Sequence, residues 1–445
     1  KFKQDDFDYL ENNNLNDSYK SKIKNVKNIG FVEPKFEFSG SCAGCGETAY
    51  LKNLTQFFGN RLFIANATGC SSIYGASVPS FPYSVAWANS LFEDNAEFGL
   101  GIYKGIELKR EKICKFMELN KDKEELFIKW LDNMDDYEIC REVYDNLDFS
   151  KYMELNELKD FIVPKSMWIV GGDGFAYDIG YSGIDHVISR NDNVNILVLD
   201  TEVYSNTGGQ SSKSTRVGAV AKFASAGKET AKKDLAKMAL TYPHVYVGTI
   251  SLGANPNQAI KVLKEAEAYD GPSIVIAYAP CIAQGILKGM KNSIAEEKSA
   301  TESGYFPLFH YNPETKEFKM DSKADFSKYE EFVLGEDRYR TLTKISRNHK
   351  ELLNRNKENA ISRYEYYKSL EKENTLEKKK VTVEEKSLEE KKVVVEMKSL
   401  EKEKEVPVEK EKILEEKKVV EKENPVPVIK KEFEKVVKVE EKKKA

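Results

Sequence analysis

The 445-residue sequence is poor in the features that mark membrane, nucleic-acid-binding and disulfide-stabilised proteins. No apolar run approaches the roughly 18–20 residues of a membrane-spanning helix, and the charged beginning is unlike a signal peptide. With 69 basic and 73 acidic residues the chain has no basic excess for nucleic acid, and six cysteines favour metal or redox chemistry. We expect a cytoplasmic protein that binds neither membranes nor nucleic acid. An organelle is the alternative location, because the chain begins with Lys rather than Met.

Residues 371–445 lack glycine, cysteine, histidine, tyrosine and aspartate, and they contain 22 Lys and 21 Glu. Lys-Ser-Leu-Glu recurs from positions 368, 386 and 398, at spacings that fit no heptad. Such a segment buries too little apolar surface to offset its ordering entropy. We expect a disordered or loosely helical charged tail there. The remaining predicted divisions are a linker or end of an upstream domain at 1–35, a folded domain at 36–345 and a C-terminal helical segment at 346–370.

Short apolar runs alternate with helical patterns through the folded part. The runs are rich in β-branched residues and lie at 62–65, 167–170, 194–199, 245–250 and 273–277. Strands that are apolar throughout are typical of parallel sheets covered on both faces, and strand–helix–strand alternation favours the same arrangement. The sequence therefore predicts an α/β fold with a mostly parallel, doubly wound sheet and helices on both faces.

Two oxygen-rich loops follow neighbouring predicted strands. Residues 171–174 read Gly-Gly-Asp-Gly and open a helix, whose free N–H groups suit a phosphate. One carboxylate among the glycines suits Mg²⁺ shared with a diphosphate. The next strand ends in residues 200–209, Asp-Thr-Glu-Val-Tyr-Ser-Asn-Thr-Gly-Gly. In a parallel sheet both loops emerge at the ligand-binding edge, so they can meet at one metal–diphosphate. The alternative is two ordinary turns.

Four cysteines lie in glycine-rich or strand-end segments. Cys42 and Cys45 form a Cys-x-x-Cys motif, while Cys70 and Cys281 each follow a predicted strand. Thiolates at strand ends can converge on one metal site, and their spacing fits structural zinc as well as an iron–sulfur cluster. The other two cysteines lie in a charged helical insert and are expected to be ordinary thiols.

Longer stretches resemble a known family. Residues 38–48 (Phe-Ser-Gly-Ser-Cys-Ala-Gly-Cys-Gly-Glu-Thr), 66–75 (Asn-Ala-Thr-Gly-Cys-Ser-Ser-Ile-Tyr-Gly) and 89–99 (Asn-Ser-Leu-Phe-Glu-Asp-Asn-Ala-Glu-Phe-Gly) resemble the C-terminal thiamine-diphosphate domain of pyruvate:ferredoxin (flavodoxin) oxidoreductase. Segments 171–177, 200–213, 218–223 and 277–282 extend the resemblance over roughly 36–345. It implies a thiamine-diphosphate-binding fold. It also implies oxidative decarboxylation of pyruvate to acetyl-CoA and CO₂, with coenzyme A as co-substrate and electrons passing through a proximal [4Fe–4S] cluster to ferredoxin or flavodoxin.

The resemblance also implies roles for single residues. The cluster ligands would be Cys42, Cys45, Cys70 and Cys281, and the Mg²⁺ ligands would be Asp173, Thr201 and the carbonyl of Val203. The residues lining thiamine diphosphate would be Glu47, Cys70, Gly172, Asp173, Gly174, Phe175, Thr201, Glu202, Val203, Tyr204, Ser205 and Asn206. Glu47 and Asn206 would act in catalysis, with Asn206 reaching pyruvate.

The sequence departs from the family in several places. The loop at 83–87 and the charged insert are shorter than usual, Phe175 stands where the family has Trp, and Thr215-Arg216-Val217 replaces Thr-Pro-Thr. The motif for two distal clusters does not occur, nor do the other family domains, one of which supplies a glutamate to the cofactor. We therefore expect the chain to act with N-terminal domains or a subunit of the same enzyme, as part of a homodimer. The alternatives are a non-redox thiamine-diphosphate decarboxylase or carboligase, and a catalytically incomplete remnant that acts as an interaction protein.

Overall fold

The computed structural model describes residues 26–30, 32, 34–36, 39–75 and 85–375. Nearly all of the predicted charged tail and most of the predicted linker at 1–35 lie outside the described residues. Within the described part, no helix is both long enough and apolar enough to cross a membrane.

One mixed sheet organises the described residues. Its strands are β1 (Leu62–Ala67), β2 (Ala86–Ser90), β3 (Ser166–Gly171), β4 (Asn195–Asp200), β5 (Tyr246–Ile250), β6 (Ser273–Tyr278), β7 (Phe309–Asn312) and β8 (Glu317–Met320). Their order across the sheet is β2-β1-β3-β4-β6-β5-β7-β8. The first six pair in parallel, β7 is antiparallel to β5, and β8 is antiparallel to β7. The prediction of a mostly parallel sheet is confirmed, and the five predicted runs are β1, β3, β4, β5 and β6.

The described residues also form α-helices. They are α1 (Val26–Ile29), α2 (Thr48–Phe58), α3 (Cys70–Gly75), α4 (Asn95–Asn120), α5 (Glu125–Leu131), α6 (Tyr137–Asn146), α7 (Met153–Leu158), α8 (Asp173–Ala176), α9 (Tyr181–Ile188), α10 (Leu235–Ala239), α11 (Pro256–Ala268), α12 (Ser293–Glu302), α13 (Tyr329–Leu334), α14 (Asp337–Ile345) and α15 (349–375). Helices α4, α9, α10 and α15 pack on one face, and α2 and α11 pack on the other.

The central strands are buried along their whole length. In β4, Ile196 and Val198 join the core on the α4 and α9 side, whereas Leu197 and Leu199 join the core on the α2 and α11 side. Every residue of β3, β4 and β6 is buried. Because successive side chains of a strand point to opposite faces, a doubly covered strand is apolar on both faces along most of its length. This is the physical basis of the pattern seen in the sequence.

Helix α15 extends beyond residue 370, the predicted end of the C-terminal helical segment, and its last turns contact the edge strand β8. The Glu371 Oε1 atom accepts a hydrogen bond from the Met320 N–H at 3.0 Å, and the Asn374 Oδ1 atom accepts one from the Phe318 N–H at 3.4 Å. The Asn374 amide also donates to the carbonyl of Lys316. These side chains satisfy backbone groups of the edge strand β8. The described residues up to Asn374 belong to one compact unit.

Candidate active site

Loops at the carboxyl ends of β1, β4 and β6 surround a cavity of about 170 Å³. Its lining residues are Gly40, Ser41, Cys42, Cys45, Glu47, Cys70, Ile73, Tyr74, Thr201, Ser205, Asn206, Pro280, Cys281 and Ile282. The structure thus brings all four predicted cluster ligands into one cavity. It places the two predicted catalytic residues, Glu47 and Asn206, in the same wall.

Backbone hydrogen bonds bring the thiol-bearing segments together. The Cys45 N–H donates to the Cys42 carbonyl at 3.0 Å, which closes the turn of the Cys-x-x-Cys motif. Within that turn Gly44 has a φ of 74°, and a Cβ there would lie 2.1 Å from the Met290 carbonyl oxygen. A side chain at this position is therefore excluded. The Gly46 N–H donates to the Pro280 carbonyl at 3.0 Å, so the motif is tied to the segment that carries Cys281.

Cys70 connects the thiols to the loop after β4. It is the first residue of α3, and its thiol donates to the Ser205 Oγ atom at 3.3 Å. Asn206, the predicted substrate contact, is the next residue in that loop and also lines the cavity. The arrangement therefore places a potential metal ligand directly against the loop that is predicted to reach substrate.

Burial governs the electrostatics of the thiols. It raises the pKa of Cys45 and of Cys281 to about 12 and that of Cys70 to about 11, and the nearby carboxyl of Glu47 acts in the same direction. The thiolate form therefore needs a positive charge in the cavity, which a metal centre supplies. The donor set, four thiols without a histidine, fits zinc or an iron–sulfur cluster. Among the described residues, however, no three His, Cys, Asp or Glu side chains meet in a geometry that could hold a metal ion.

Glu47 is a buried carboxyl with one neutral partner. It is 4% exposed, and its Oε2 atom accepts a hydrogen bond from the Tyr74 hydroxyl at 2.7 Å. Burial raises the pKa of Glu47 to about 7, against the opposing effect of the tyrosine. A carboxyl with this pKa can both hold and release a proton near neutral pH, which suits acid–base work. Sequence reasoning missed Tyr74, although it lies four residues after Cys70 and so faces the same side of α3.

Asp173 has the properties expected of a cation ligand. Its Oδ2 atom accepts a hydrogen bond from the Ser212 hydroxyl, while its Oδ1 atom is buried and has no hydrogen-bond partner within the described part of the chain. Burial and the neighbouring Asp200 raise the pKa of Asp173 well above its usual range. Buried polar atoms are nearly always paired, so an orphaned carboxylate oxygen indicates a place for an ion. The residues therefore fit a hard cation such as Mg²⁺.

The other two predicted Mg²⁺ ligands contact each other. The Thr201 Oγ1 atom donates to the Val203 carbonyl at 2.9 Å. Thr201 lines the cavity of the thiols, whereas Asp173 and Val203 are not part of its lining. A Cβ at Gly172 would meet only the Leu199 carbonyl oxygen, at 3.7 Å, so the backbone there is open to approach. At Gly174 a Cβ would lie 3.0 Å from the ring of Tyr204, which closes that side.

Two predicted cofactor-lining residues direct their side chains elsewhere. Phe175 is 1% exposed and packs in the core between the sheet and α4. Glu202 is fully buried, and its carboxylate accepts hydrogen bonds from Arg216 Nε at 2.7 Å and Arg338 Nη2 at 2.8 Å. Lys232 lies 3.1 Å from the same carboxylate. Because the side chains of Phe175 and Glu202 are occupied in this way, only their backbone atoms can contact a ligand bound beside β3 and β4.

Comparison with known proteins supports the family resemblance. Residues 160–277 match the model of the thiamine pyrophosphate enzyme C-terminal TPP-binding domain. The chain is 46% identical over 378 residues to a pyruvate:ferredoxin oxidoreductase of Moorella thermoacetica and 47% identical over 373 residues to a pyruvate-flavodoxin oxidoreductase of Klebsiella pneumoniae. The chain is a homologue of these oxidoreductases. The resemblance that the motifs indicated is therefore confirmed.

The homology has a defined extent. Each of these two matches covers 78% of the chain but only 32% of the relative. The chain therefore spans about a third of the length of these relatives. A protein of Cryptosporidium parvum named pyruvate dehydrogenase [NADP(+)] is 43% identical over 387 residues, covering 71% of this chain and 20% of that protein. Relatives with differently named electron acceptors thus share this part.

Proposed function

We propose that this chain is the part of a pyruvate oxidoreductase that binds thiamine diphosphate and the cluster. The complete enzyme converts pyruvate and coenzyme A to acetyl-CoA and CO₂ and passes two electrons to ferredoxin or flavodoxin. One observation supports this function above the others. The four thiols of Cys42, Cys45, Cys70 and Cys281 share a cavity with Glu47 and Asn206 at the ligand-binding edge of the sheet.

The residues after β3 and β4 would hold the cofactor. Asp173, the Thr201 hydroxyl and the Val203 carbonyl would bind Mg²⁺, and the open backbone at Gly172 would admit the diphosphate. Thiamine diphosphate, when bound, supplies an electron sink for the cleavage of a 2-oxo acid. The chain's own Glu47 would hold or release a proton in the cavity. Asn206 would orient pyruvate through its side-chain amide.

A cluster at the four thiols would serve as the electron acceptor nearest the substrate. Cys70 contacts Ser205, and Ser205 precedes the proposed substrate contact Asn206. An acceptor bound at Cys70 would therefore lie beside the substrate. This favours a [4Fe–4S] cluster over structural zinc, which carries no electrons.

Further polypeptide is needed for this activity. The relatives carry about two thirds of their length beyond the part that matches. We infer that this chain acts with a polypeptide equivalent to the unmatched part of the relatives. Together they would form a homodimeric enzyme that delivers electrons to ferredoxin or flavodoxin.

Anaerobic reconstitution with iron and sulfide tests the cluster. We expect about four iron atoms per chain and a paramagnetic signal on reduction. Cys281→Ser and Cys70→Ser should each lower the iron content. Cys114→Ser and Cys140→Ser are matched controls, because both thiols lie in the helical insert, outside the lining of the cavity. Full iron content in Cys281→Ser, or zinc bound in place of iron, would contradict the proposal.

A further inference from the structure

Gln284 is a buried amide that bridges two parts of the cavity wall. It ends the short 3-10 helix Ile282–Gln284, which follows Cys281, and it is fully buried. Its Oε1 atom accepts a hydrogen bond from the Cys281 N–H at 3.1 Å, and its Nε2 atom donates to the Thr201 carbonyl at 2.9 Å. One side chain therefore joins the turn that carries a cavity thiol to the end of β4.

The two partners together require a side chain that both accepts and donates a hydrogen bond, as the amide of Gln284 does. The Cys281 N–H needs an acceptor and the Thr201 carbonyl needs a donor, and a thioether, an aliphatic chain or a carboxylate supplies at most one of these well. Leaving a buried backbone group unpaired costs its full desolvation penalty. The Thr201 side chain offers no substitute, because its hydroxyl donates to the Val203 carbonyl. Besides packing in the interior, Gln284 therefore fixes the position of the Cys281 turn relative to the end of β4.

We propose that Gln284 is a positioning residue that holds the Cys281 turn against Thr201. Both of the residues it joins line the cavity, one as a proposed cluster ligand and the other as a proposed Mg²⁺ ligand. A metal centre at the thiols and a diphosphate at Thr201 are thereby held in a fixed relation, and a change at Gln284 loosens both sites together. The identity of these ligands rests on the proposed function, but the bridge belongs to the unliganded chain.

The reactivity of Cys281 in the metal-free, full-length chain tests the bridge directly. Gln284→Met keeps the side-chain volume and removes both hydrogen bonds. We expect iodoacetamide to alkylate Cys281 about tenfold faster in this variant, because the turn opens more often. Alkylation of Cys70 should stay within about twofold of wild type, since its sulfur contacts Ser205 and not Gln284. Mass spectrometry of the peptides gives the rate at each cysteine.

Gln258→Met is the matched control. Gln258 lies in α11 and is 6% exposed, and its Nε2 atom donates to the Thr249 carbonyl at 3.1 Å and to the Asp321 carboxylate at 3.0 Å. This variant should lose stability but leave Cys281 alkylation unchanged. If both variants accelerate the reaction equally, or if neither does, Gln284 has only a structural role and the inference is wrong.

Ligand binding gives a second readout that separates this inference from the proposed function. If wild type takes up neither iron nor Mg²⁺–thiamine diphosphate, the proposed function fails, while the alkylation rates still decide whether the bridge exists. If wild type binds both, Gln284→Met should lower the iron content and weaken thiamine diphosphate binding by about tenfold. Loss of one without the other would overturn the coupling between the two sites.

Discussion

The buried carboxyl groups of Glu47, Asp173 and Glu202 have different sets of partners, and the partners distinguish their roles. Glu202 lies among three cations, and these lower its pKa well below the usual range despite burial. Asp173 lies against a hydroxyl and keeps one oxygen unpaired. Glu47 accepts a hydrogen bond from the neutral hydroxyl of Tyr74. A fully paired carboxylate stabilises the fold, whereas an underpaired one is available to bind a ligand or exchange a proton.

The substitution Asp173→Asn tests the proposed Mg²⁺ site. It keeps the size of the side chain and removes the charge, so we expect Mg²⁺-dependent binding of thiamine diphosphate to weaken about 100-fold or more. The melting temperature of the metal-free variant should not fall, because an amide costs less to bury than an unpaired carboxylate. Calorimetric titration measures the affinity, and the exposed Asp122→Asn is the control. Unchanged affinity in Asp173→Asn would place the metal elsewhere.

We expect Glu297 to make the stability of the chain depend on pH. It is fully buried, and its Oε2 atom accepts from the Gly253 N–H at 2.6 Å. Burial raises the pKa of Glu297 from 4.5 to about 7, so the folded state holds the proton more tightly than the unfolded state. Its contribution to stability is therefore complete below about pH 4.5 and is lost as the pH rises toward about 7.

Glu297→Gln should remove this dependence. The amide oxygen can still accept from Gly253, and the side chain stays neutral. The free energy of unfolding of the variant should therefore match that of wild type near about pH 4 and exceed it by up to about 3 kcal/mol near about pH 8. Urea unfolding at the two pH values measures the difference. The exposed Glu330→Gln should show no such divergence. A difference between Glu297→Gln and wild type that is the same at both pH values would contradict the assignment.

At the level of elements, a buried ion cluster joins α14 to the loop after β4. Arg338 of α14 donates to Glu202 and also to Glu336, at 2.8 and 2.6 Å. Glu202 itself has a φ of 59°, a left-handed conformation that a non-glycine residue adopts only when its surroundings enforce it. The ion pairs draw its side chain away from the cavity and leave its backbone next to Thr201. The cluster thus shapes the proposed cofactor loop.

Arg338→Met should destabilise the fold strongly, because it leaves buried carboxylates with less compensating charge. We expect a loss of about 3–5 kcal/mol in the free energy of unfolding. Arg340→Met, at an exposed position of the same helix, should change it by less than about 0.5 kcal/mol. Denaturant titration measures both variants. Similar values for the two would mean that the cluster contributes little.

The contact between α15 and β8 predicts where the chain can be shortened. Truncation after Asn374 keeps the hydrogen bonds of Glu371 and Asn374 to the edge strand, and the removed Lys/Glu-rich residues can bury little. We expect the chain that ends at Asn374 to be as stable as the full chain. Truncation after Leu370 removes both side chains and should cost about 1–2 kcal/mol. Equal melting temperatures for the two truncated chains would show that these bonds contribute nothing.

The sequence revealed the central strands better than the edges of the sheet. Strands β3, β4 and β6 are mostly apolar because both faces are covered, and that composition is visible locally. The edge strand β2 is half-exposed and ends in polar residues, and β7 and β8 form an antiparallel pair at the other edge. The pairing of β7 with β5 joins residues 60 or more positions apart, such as Val247 and Tyr311, and a local pattern does not contain that contact.

The site divides in the same way. Motifs placed Cys70, Cys281 and Asp173 directly after strands, and parallel topology brings such segments to one edge of the sheet. The directions of Phe175 and Glu202 could not be predicted from their neighbours in sequence. Phe175 packs in a core made by distant helices, and Glu202 is paired with Arg338, 136 residues away. Tertiary contacts therefore determine the direction of both side chains.

For the whole molecule, the wall of the cavity suggests how much of an active site this chain provides. Ile73 and Ile282 both line the cavity, and each is 59% exposed to solvent. Apolar side chains at a cavity mouth are expected to be covered in the working enzyme, because they gain stability when water is removed from them. The relatives' additional length supplies polypeptide for such a cover.

We therefore expect the isolated 445-residue chain to bind iron and thiamine diphosphate without turning over pyruvate. A cavity open to water neither strengthens the electrostatic interactions of Glu47 and Asn206 nor protects reactive species from side reactions. The measurement is acetyl-CoA formation from pyruvate and coenzyme A with an artificial electron acceptor, using the chain loaded with cluster, Mg²⁺ and cofactor. Adding the polypeptide that corresponds to the remainder of the relatives should restore turnover, whereas adding it to Asp173→Asn should not. Sustained turnover by the loaded chain alone would mean that its own residues, or a second copy of the chain, already close the site.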